Sequence, residues 1–146
     1  MTPENIAIKI IEYFKPSGMI LEPAKGSGNF YNNFKGKKDW CEIDEGRDFF
    51  EYNVKVDWII TNPPYSIYDE FLIKSFEVAD NIVLLVPLAK AFKSQKIDNE
   101  IQKYGGLKEV VFLGGGQKVG FNFGFPVGCL YYQRGYNKNL IKYTRF

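Results

Sequence analysis

Four consecutive residues, Asn62-Pro63-Pro64-Tyr65, directly follow the apolar segment 58–61. The two prolines fix φ and remove two backbone donors, so the nearby carbonyls and the Asn62 side-chain oxygen are left as acceptors in a rigid turn. Acceptors beside a stackable ring suit a planar amine, whose nitrogen gains positive charge as it attacks an electrophilic carbon. A purely structural Pro-Pro turn is the alternative. We interpret these residues as a catalytic loop that transfers a group to a planar amine.

A second pattern is an acid at a strand end followed by two glycines, Glu22 with Gly26 and Gly28. Such a strand-to-helix turn lets the backbone approach a ligand closely. A nicotinamide dinucleotide site would need a third glycine at the position of Tyr31, and Glu22 would repel a pyrophosphate. A cationic ligand without phosphate fits a site that contains Glu22 better than a dinucleotide does. S-adenosylmethionine is such a ligand, because it carries an ammonium and a sulfonium and no phosphate.

Two further acidic motifs lie between these patterns. A carboxylate in Glu42-Ile43-Asp44 can accept both hydroxyls of a ribose if it ends a second strand. In Asp48-Phe49 the acid can accept a hydrogen bond from an exocyclic amine while the ring packs on adenine. Taken alone, the first is more often a solvated strand end, and the second can be a turn aspartate before core aromatics.

Apolar patterning assigns these residues to elements. A first helix capped by Thr2 or Asn5 ends near Pro16, and further helices are predicted at 29–34, 69–79 and 90–104. Predicted strands cover 19–21, 39–43, 54–61, 81–86, 108–113 and 128–133. Strands alternating with helices predict an α/β fold with a mostly parallel sheet, and the last two strands can form an antiparallel pair.

Two later segments are candidates for holding a substrate. The loop 114–127 contains five glycines and three phenylalanines, of which Phe125 is our preferred ring for stacking on a base and Phe123 the alternative. Lys90, Lys93 and Lys96 follow the strand 81–86 and could contact phosphates. An ordinary glycine-rich loop and a solvated helix face are the respective alternatives.

Length and composition limit the possibilities. The 146 residues predict one domain, 1–146, and the net charge of +2 does not by itself imply a nucleic-acid partner. The absence of histidine excludes His-based catalysis, and two distant cysteines cannot form a structural zinc site, so no metal is predicted. With no signal peptide and no long apolar run, we expect a cytoplasmic protein without membrane contact.

Taken in order, these motifs resemble the class I S-adenosylmethionine-dependent methyltransferases, and within them the N6-adenine amino-methyltransferases with the Asn-Pro-Pro-Tyr motif. The resemblance covers residues 2–86 and, more loosely, extends to 133. It implies S-adenosylmethionine as the cofactor and a Rossmann-like sheet of about six to seven strands with a late antiparallel strand. The cofactor-binding residues that it implies are Thr2, Pro3, Glu22, Pro23, Ala24, Gly26, Gly28, Glu42, Asp48, Phe49 and Asn62.

The resemblance also implies a reaction, methyl transfer to N6 of adenine, with DNA favoured over RNA. Asn62 and the Pro63 carbonyl would hold the amine while Tyr65 stacks on the base. A protein glutamine methyltransferase and a non-catalytic cofactor-binding subunit remain alternatives. No target-recognition region is visible, so a homo-oligomer or a partner subunit is expected to supply recognition. The short spacing from Glu42 to Asp48 predicts a sheet one strand short, with a more open rim near the adenine pocket.

Overall fold

Seven strands form one sheet in the computed structural model, which describes residues 1–146. The strands are β1 Ile20–Glu22, β2 Lys38–Trp40, β3 Val56–Thr61, β4 Ala79–Pro87, β5 Gly105–Gly115, β6 Pro126–Arg134 and β7 Lys142–Arg145. Their order across the sheet is β2-β1-β3-β4-β6-β5-β7. Only β6 runs antiparallel to its neighbours, so the carboxyl ends of the other six strands lie at one edge.

Helices cover both faces of the sheet. They are α1 Glu4–Phe14, α2 Tyr68–Val78, α3 Gln95–Tyr104 and the single turn α4 Gly116–Val119. The apolar stripe of α1 packs on one face, whereas α2 and α3 pack on the other. Strand β4 is apolar throughout its centre because alternate residues contribute to both cores, as Leu84 and Leu85 do. None of the helices is both long and apolar enough to cross a membrane.

The predicted α/β fold with a mostly parallel sheet is confirmed, as is the antiparallel pairing of β5 with β6. The late antiparallel strand that the resemblance implied is β6, which is inserted between β4 and β5. The short turn from Glu42 to Asp48 adds no strand beyond β2. The sheet as a whole is not one strand short, however: it has seven strands, because β7, which the apolar pattern did not reveal, pairs with β5 at the opposite edge.

The predicted helix 90–104 is wrong in its first part. The chain forms a 3₁₀ turn over Leu88–Phe92, and α3 begins only after Ser94. The Ser94 hydroxyl accepts the N–H of Ile97 at 3.2 Å. A serine that satisfies a free amide in this way starts a new helix, and it thereby separates Lys90 and Lys93 from α3.

Three smaller predictions near the amino terminus also need correction. Neither Thr2 nor Asn5 caps α1, because Pro3 occupies the N-cap position and no side chain bonds the first amides. The predicted helix 29–34 is a single 3₁₀ turn, Tyr31–Asn33. Strand β2 begins at Lys38 and ends at Trp40, before Glu42. Glu42 instead caps the 3₁₀ turn Ile43–Glu45 with its side chain.

Candidate functional site

A cavity of about 680 Å³ lies where β1 and β3 end at the carboxyl edge of the sheet. This volume is in the range of small-molecule sites, and this edge is where open α/β sheets bind ligands. Most residues singled out in the sequence line it: Thr2, Glu22, Pro23, Ala24, Gly26, Glu42, Asp48, Phe49, Asn62, Pro63, Pro64, Tyr65 and Phe123. The residues singled out that do not line it are Pro3, Gly28, Asp44, Lys90, Lys93, Lys96 and Phe125.

Glu22 is the buried acid of the cavity. It ends β1, is 1% exposed, and accepts the backbone N–H of Ala24 at 2.9 Å and the hydroxyl of Thr61. Both donors engage Oε1, so Oε2 accepts no hydrogen bond from the protein. Burial raises the pKa of Glu22 to about 8, although both hydrogen bonds oppose the rise. A buried carboxyl with one unengaged oxygen at a cavity is suited to a cationic ligand.

Glu42 closes the loop that follows β1. Its Oε2 accepts the N–H of Gly26 at 2.7 Å, and its Oε1 accepts the N–H of Asp44 at 3.2 Å. Gly26 has φ of +54°, a conformation that favours glycine, and nothing lies within 4 Å of where its side chain would start. The Glu42 carboxylate therefore joins the loop after β1 to the 3₁₀ turn that follows Glu42. Its oxygens can still accept further hydrogen bonds from a ligand.

The pair Asp48 and Phe49 forms the rim of the cavity on the side of β2. Asp48 caps a 3₁₀ turn by accepting the N–H of Phe50 at 2.9 Å. Phe49 is buried against Phe71, with ring centroids 4.7 Å apart, while Phe50 is 41% exposed. All three rings line the cavity, so the apolar surface available to a planar ligand is wider than Phe49 alone.

Asn62 is held in one orientation by the amino-terminal segment. Its Nδ2 donates to the hydroxyl of Thr2 at 3.1 Å, and the carbonyl of Thr2 accepts from Nδ2 of Asn29 at 2.7 Å. Thr2 itself is 7% exposed. Since the Asn62 amide donates to Thr2, its carbonyl oxygen remains available to accept a hydrogen bond from an amine in the cavity.

Tyr65 closes the catalytic turn. Its ring is half-buried at the cavity, and its hydroxyl is buried without a hydrogen-bond partner. Burial raises the pKa of this hydroxyl to about 12, so it is neutral at physiological pH. The ring meets Phe123 nearly edge-on, with centroids 6.3 Å apart and planes at 71°. Tyr65 thus offers an aromatic surface to the cavity and one unsatisfied polar group.

The glycine-rich loop brings a row of rings to the cavity. Phe121 is buried and stacks on Phe123 at 5.4 Å, and Phe123 lies 5.8 Å from Phe125 with planes at 32°. Gly116 permits this arrangement, because a side chain there would meet the Phe123 carbonyl oxygen at 2.2 Å. Phe125, the ring preferred from the sequence, is 65% exposed and outside the cavity, whereas the alternative Phe123 lines it.

Two of the three predicted phosphate contacts, Lys90 and Lys93, are partly engaged within the protein. Lys93 forms an ion pair with Asp69 at 2.8 Å. Lys90 lies 5.5 Å from the centroid of the Tyr68 ring and is half-buried. Their role in binding a nucleic acid stays a prediction, with Lys93 already partly neutralised.

Sequence reasoning missed three residues that organise the site. Thr61 bonds Glu22, Asn29 bonds Thr2, and Phe121 supports Phe123. Thr61 could have been found from its place between an apolar strand and Asn62, whereas the partner of Asn29 lies 27 positions away in sequence. No group of three or more cysteines and acids that could hold a metal ion is present.

Comparison with known proteins gives a consistent picture of the fold. The sequence matches no protein-family model and no curated protein. Among solved structures, the modification subunit of a candidate type I restriction enzyme from Vibrio vulnificus YJ016 superposes with a TM-score of 0.71 at 16% identity, covering 99% of this chain and 46% of that one. A candidate class I S-adenosylmethionine-dependent methyltransferase from Listeria monocytogenes gives 0.70 at 15% identity, with coverages of 100% and 65%.

A third similar structure is a candidate RNA methyltransferase from Pyrococcus horikoshii, with a TM-score of 0.61 at 16% identity and coverages of 90% and 82%. The chain thus spans less than two thirds of the length of the first two structures. At these identities the likeness concerns the fold, which includes the late antiparallel strand. The chain has the fold of the class I S-adenosylmethionine-dependent methyltransferases.

Proposed function

We propose that this protein is an S-adenosylmethionine-dependent methyltransferase that acts on the exocyclic N6 amine of adenine, with DNA as the favoured nucleic acid. The observation that carries the proposal is that the Asn62-Pro63-Pro64-Tyr65 turn shares one cavity with Glu22, Gly26 and Glu42. A methyl donor and a planar amine could meet there without a change in fold. The similar structures support the donor, because one of them is described as a methyltransferase of this class.

The residues present fit the cofactor. When bound, S-adenosylmethionine supplies a methyl group on a cationic sulfur. Glu22 offers a carboxyl oxygen without a protein donor to an ammonium group, and Glu42 offers acceptor capacity to ribose hydroxyls. Asp48 can accept from an adenine amine while Phe49 and Phe50 contact the ring.

The catalytic turn would act mainly by positioning and electrostatics. The free carbonyl oxygen of Asn62 and the Pro63 carbonyl would accept the two hydrogens of the amine and stabilise its developing positive charge. Thr2 is then a positioning residue, because its hydroxyl holds the Asn62 amide. Tyr65 and Phe123 would contact the base, and an unpaired base would reach them at lower cost than one extruded from a duplex.

The source of target recognition is part of the proposal. All secondary-structure elements of the chain belong to one sheet and the helices packed on it. Two of the similar structures are described as parts of type I restriction systems, and this chain covers under half of each of them. We therefore propose a partner subunit, or a second copy, as the source of sequence recognition.

The test is a product analysis with methyl-labelled cofactor and separate pools of DNA, RNA and protein. We expect labelled N6-methyladenine in nucleic acid, identified by mass spectrometry, and none with an Asn62→Ala variant. Labelled glutamine in protein would replace the proposed substrate, and cofactor binding without any product would leave a non-catalytic subunit. Thr2→Val should lower turnover, and Thr2→Ser should restore it, because the hydroxyl orients Asn62.

A further inference from the structure

Charge is distributed very unevenly along this chain. Residues 110–146 contain five lysines and arginines and no acid, whereas the first 109 residues contain all 17 acids and 14 basic residues. The near-neutral total therefore conceals a basic final quarter joined to an acidic remainder. A strong asymmetry of this kind indicates that one part of a protein contacts a polyanion.

The fold places the two charges at opposite ends of the same sheet edge. The loop after β2 contributes what we call the acidic end, Glu42, Asp44 and Asp48. The basic end consists of Lys118 on α4 and of Lys142 and Arg145 on β7. Strand β7 is parallel to β5, so its carboxyl end, with Arg145 level with Phe112, lies at the edge of the sheet that also holds the cavity.

The three cations of the basic end, Lys118, Lys142 and Arg145, are exposed, and none lies within ion-pair distance of a carboxylate. Lys142 is nevertheless partly engaged, because it lies 5.9 Å from the Tyr13 ring centroid and its pKa is raised by that tyrosine and by Glu109. The guanidinium of Arg145 lies 5.1 Å from the Phe112 ring centroid, which limits its motion without neutralising it. By contrast, Arg134 from the same segment is already paired with Asp80 at 2.8 Å.

The aromatic row belongs to the loop that joins β5 to β6, two strands that lie between β3 and β7 in the sheet. Phe121, Phe123 and Phe125 form a row of rings that begins at the cavity, with successive planes 25° and 32° apart, and the outermost ring is 65% exposed. A nucleic-acid base suits it because any base can extend a stack of rings regardless of sequence.

Distances along the edge fit a short strand of nucleic acid. Four strand spacings separate β3, which leads into Asn62, from β7. At roughly 4.8 Å each, these amount to about 19 Å, or a few nucleotides. The acidic end follows β2, two strands farther from β7 than β3 is. Its separation from the β7 end therefore exceeds the screening length of about 8–10 Å at physiological salt, and the two ends act on a ligand separately.

We propose that the basic end and Phe125 bind an unpaired nucleic-acid strand, which enters from the β7 side with one base in the cavity and a neighbouring base stacked on Phe125. This inference rests on the proposed function, and it specifies single-stranded or locally unpaired nucleic acid as the substrate class. Lys118, Lys142 and Arg145 contact the phosphates. The acidic end disfavours a rigid duplex lying across the whole mouth, because such a duplex would bring phosphates close to Glu42, Asp44 and Asp48.

The experiment measures binding of a fluorescent single-stranded DNA of about twelve nucleotides, and of the same sequence as a duplex, at several salt concentrations. The wild type should bind the single strand more tightly. A Lys118→Glu, Arg145→Glu double variant should lose at least about tenfold in affinity and flatten the salt slope by up to about 1.4, which is 0.7 per lost contact. Phe125→Ala should lose roughly five- to 150-fold with the slope retained.

The matched control is a Lys35→Glu, Lys37→Glu double variant. It changes the net charge by the same amount, and both lysines are exposed just before β2, at the other end of the sheet. Its affinity should stay near that of the wild type. Equal losses in both double variants, or a duplex bound as tightly as the single strand, would overturn the proposal. Thermal melts establish that each variant is folded.

The outcomes also separate this inference from the proposed function. Methylated nucleic acid together with normal binding by the Lys118→Glu, Arg145→Glu variant would leave the function in place and refute the basic end. Single-strand binding that depends on Lys118, Arg145 and Phe125, but without methyl transfer to any nucleic acid, would support the basic end as a binding site and refute the proposed function.

Discussion

The two sides of the cavity hold their functional groups by different means. On the polar side, Glu22, Glu42 and Asn62 each bond a backbone amide or a side-chain hydroxyl of a neighbouring segment. On the aromatic side, Tyr65 and Phe123 are held by ring packing alone, and the Tyr65 hydroxyl has no partner. The polar side is therefore oriented before any ligand binds, whereas the aromatic side can adjust to a planar surface.

The largest effect should come from Asn62, which lies between the two sides. In an Asn62→Ala variant, turnover should fall about 100- to 1,000-fold, because one preorganised acceptor is lost where charge develops. Cofactor affinity, measured by calorimetry, should change little. Turnover at the wild-type rate on an identified substrate would remove Asn62 from the reaction.

Loss of the Glu42 side chain should weaken cofactor binding rather than lower turnover. Glu42→Ala removes a charged acceptor and the bond that joins the two loops through Gly26. The cost of about 1.5–3 kcal/mol corresponds to roughly ten- to hundredfold weaker binding of S-adenosylmethionine. Glu45→Ala is the control, because this exposed acid pairs only with Lys25, at 2.8 Å. Equal losses in both variants would mean that general negative charge, and not Glu42, attracts the cofactor.

The polar side was largely predictable from the sequence because its chemistry is local. Glu22 and Asn62 follow apolar strand segments directly, and parallel strands bring their ends to one edge. Asn29 was missed because its partner Thr2 lies 27 positions away in sequence, whereas Thr61 could have been identified from its place directly before Asn62.

The aromatic side was predicted less completely. The sequence identified the glycine-rich loop, but which ring enters the cavity depends on the close approach at Gly116, which no local pattern specifies. Strand β7 was missed for a similar reason. It is an exposed edge strand of four residues, Lys-Tyr-Thr-Arg, and it is held by pairing with β5 and by the bond from the Thr144 hydroxyl to Glu109 at 2.6 Å. Neither interaction requires a periodic pattern of apolar residues, so the sequence gives no sign of this strand.

Glu22 should give the polar side a pH dependence. Its pKa is about 8 in the folded protein and near 4.5 when unfolded, so the folded state retains a proton that the unfolded state loses. The stability that this proton provides is complete below about pH 4.5 and is lost as pH rises through about 8, at up to about 1.4 kcal/mol per unit. Glu22→Gln should lack this decline when both proteins are unfolded in urea across that range.

Cofactor affinity should respond to pH in the opposite direction. A bound ammonium favours the ionised form of Glu22, so binding of S-adenosylhomocysteine should strengthen toward pH 8 and release a proton. Calorimetry in buffers of different ionisation enthalpy measures that release. An affinity independent of pH would mean that Glu22 does not contact the charged part of the ligand.

The smallest effect tests the aromatic side through the unpaired hydroxyl of Tyr65. Leaving a buried polar group unsatisfied costs about 1–3 kcal/mol, so Tyr65→Phe should keep the free energy of unfolding unchanged or raise it by about 1 kcal/mol. Tyr104→Phe is the matched control, because the Tyr104 hydroxyl is buried but donates to the Ala79 carbonyl at 2.7 Å. That variant should lose about 1 kcal/mol. Equal losses in both would show that the Tyr65 hydroxyl has a partner. Turnover separates the remaining possibilities: a tenfold loss at unchanged stability would mean that this hydroxyl bonds the substrate, and the aromatic side would then share the directional bonding of the polar side.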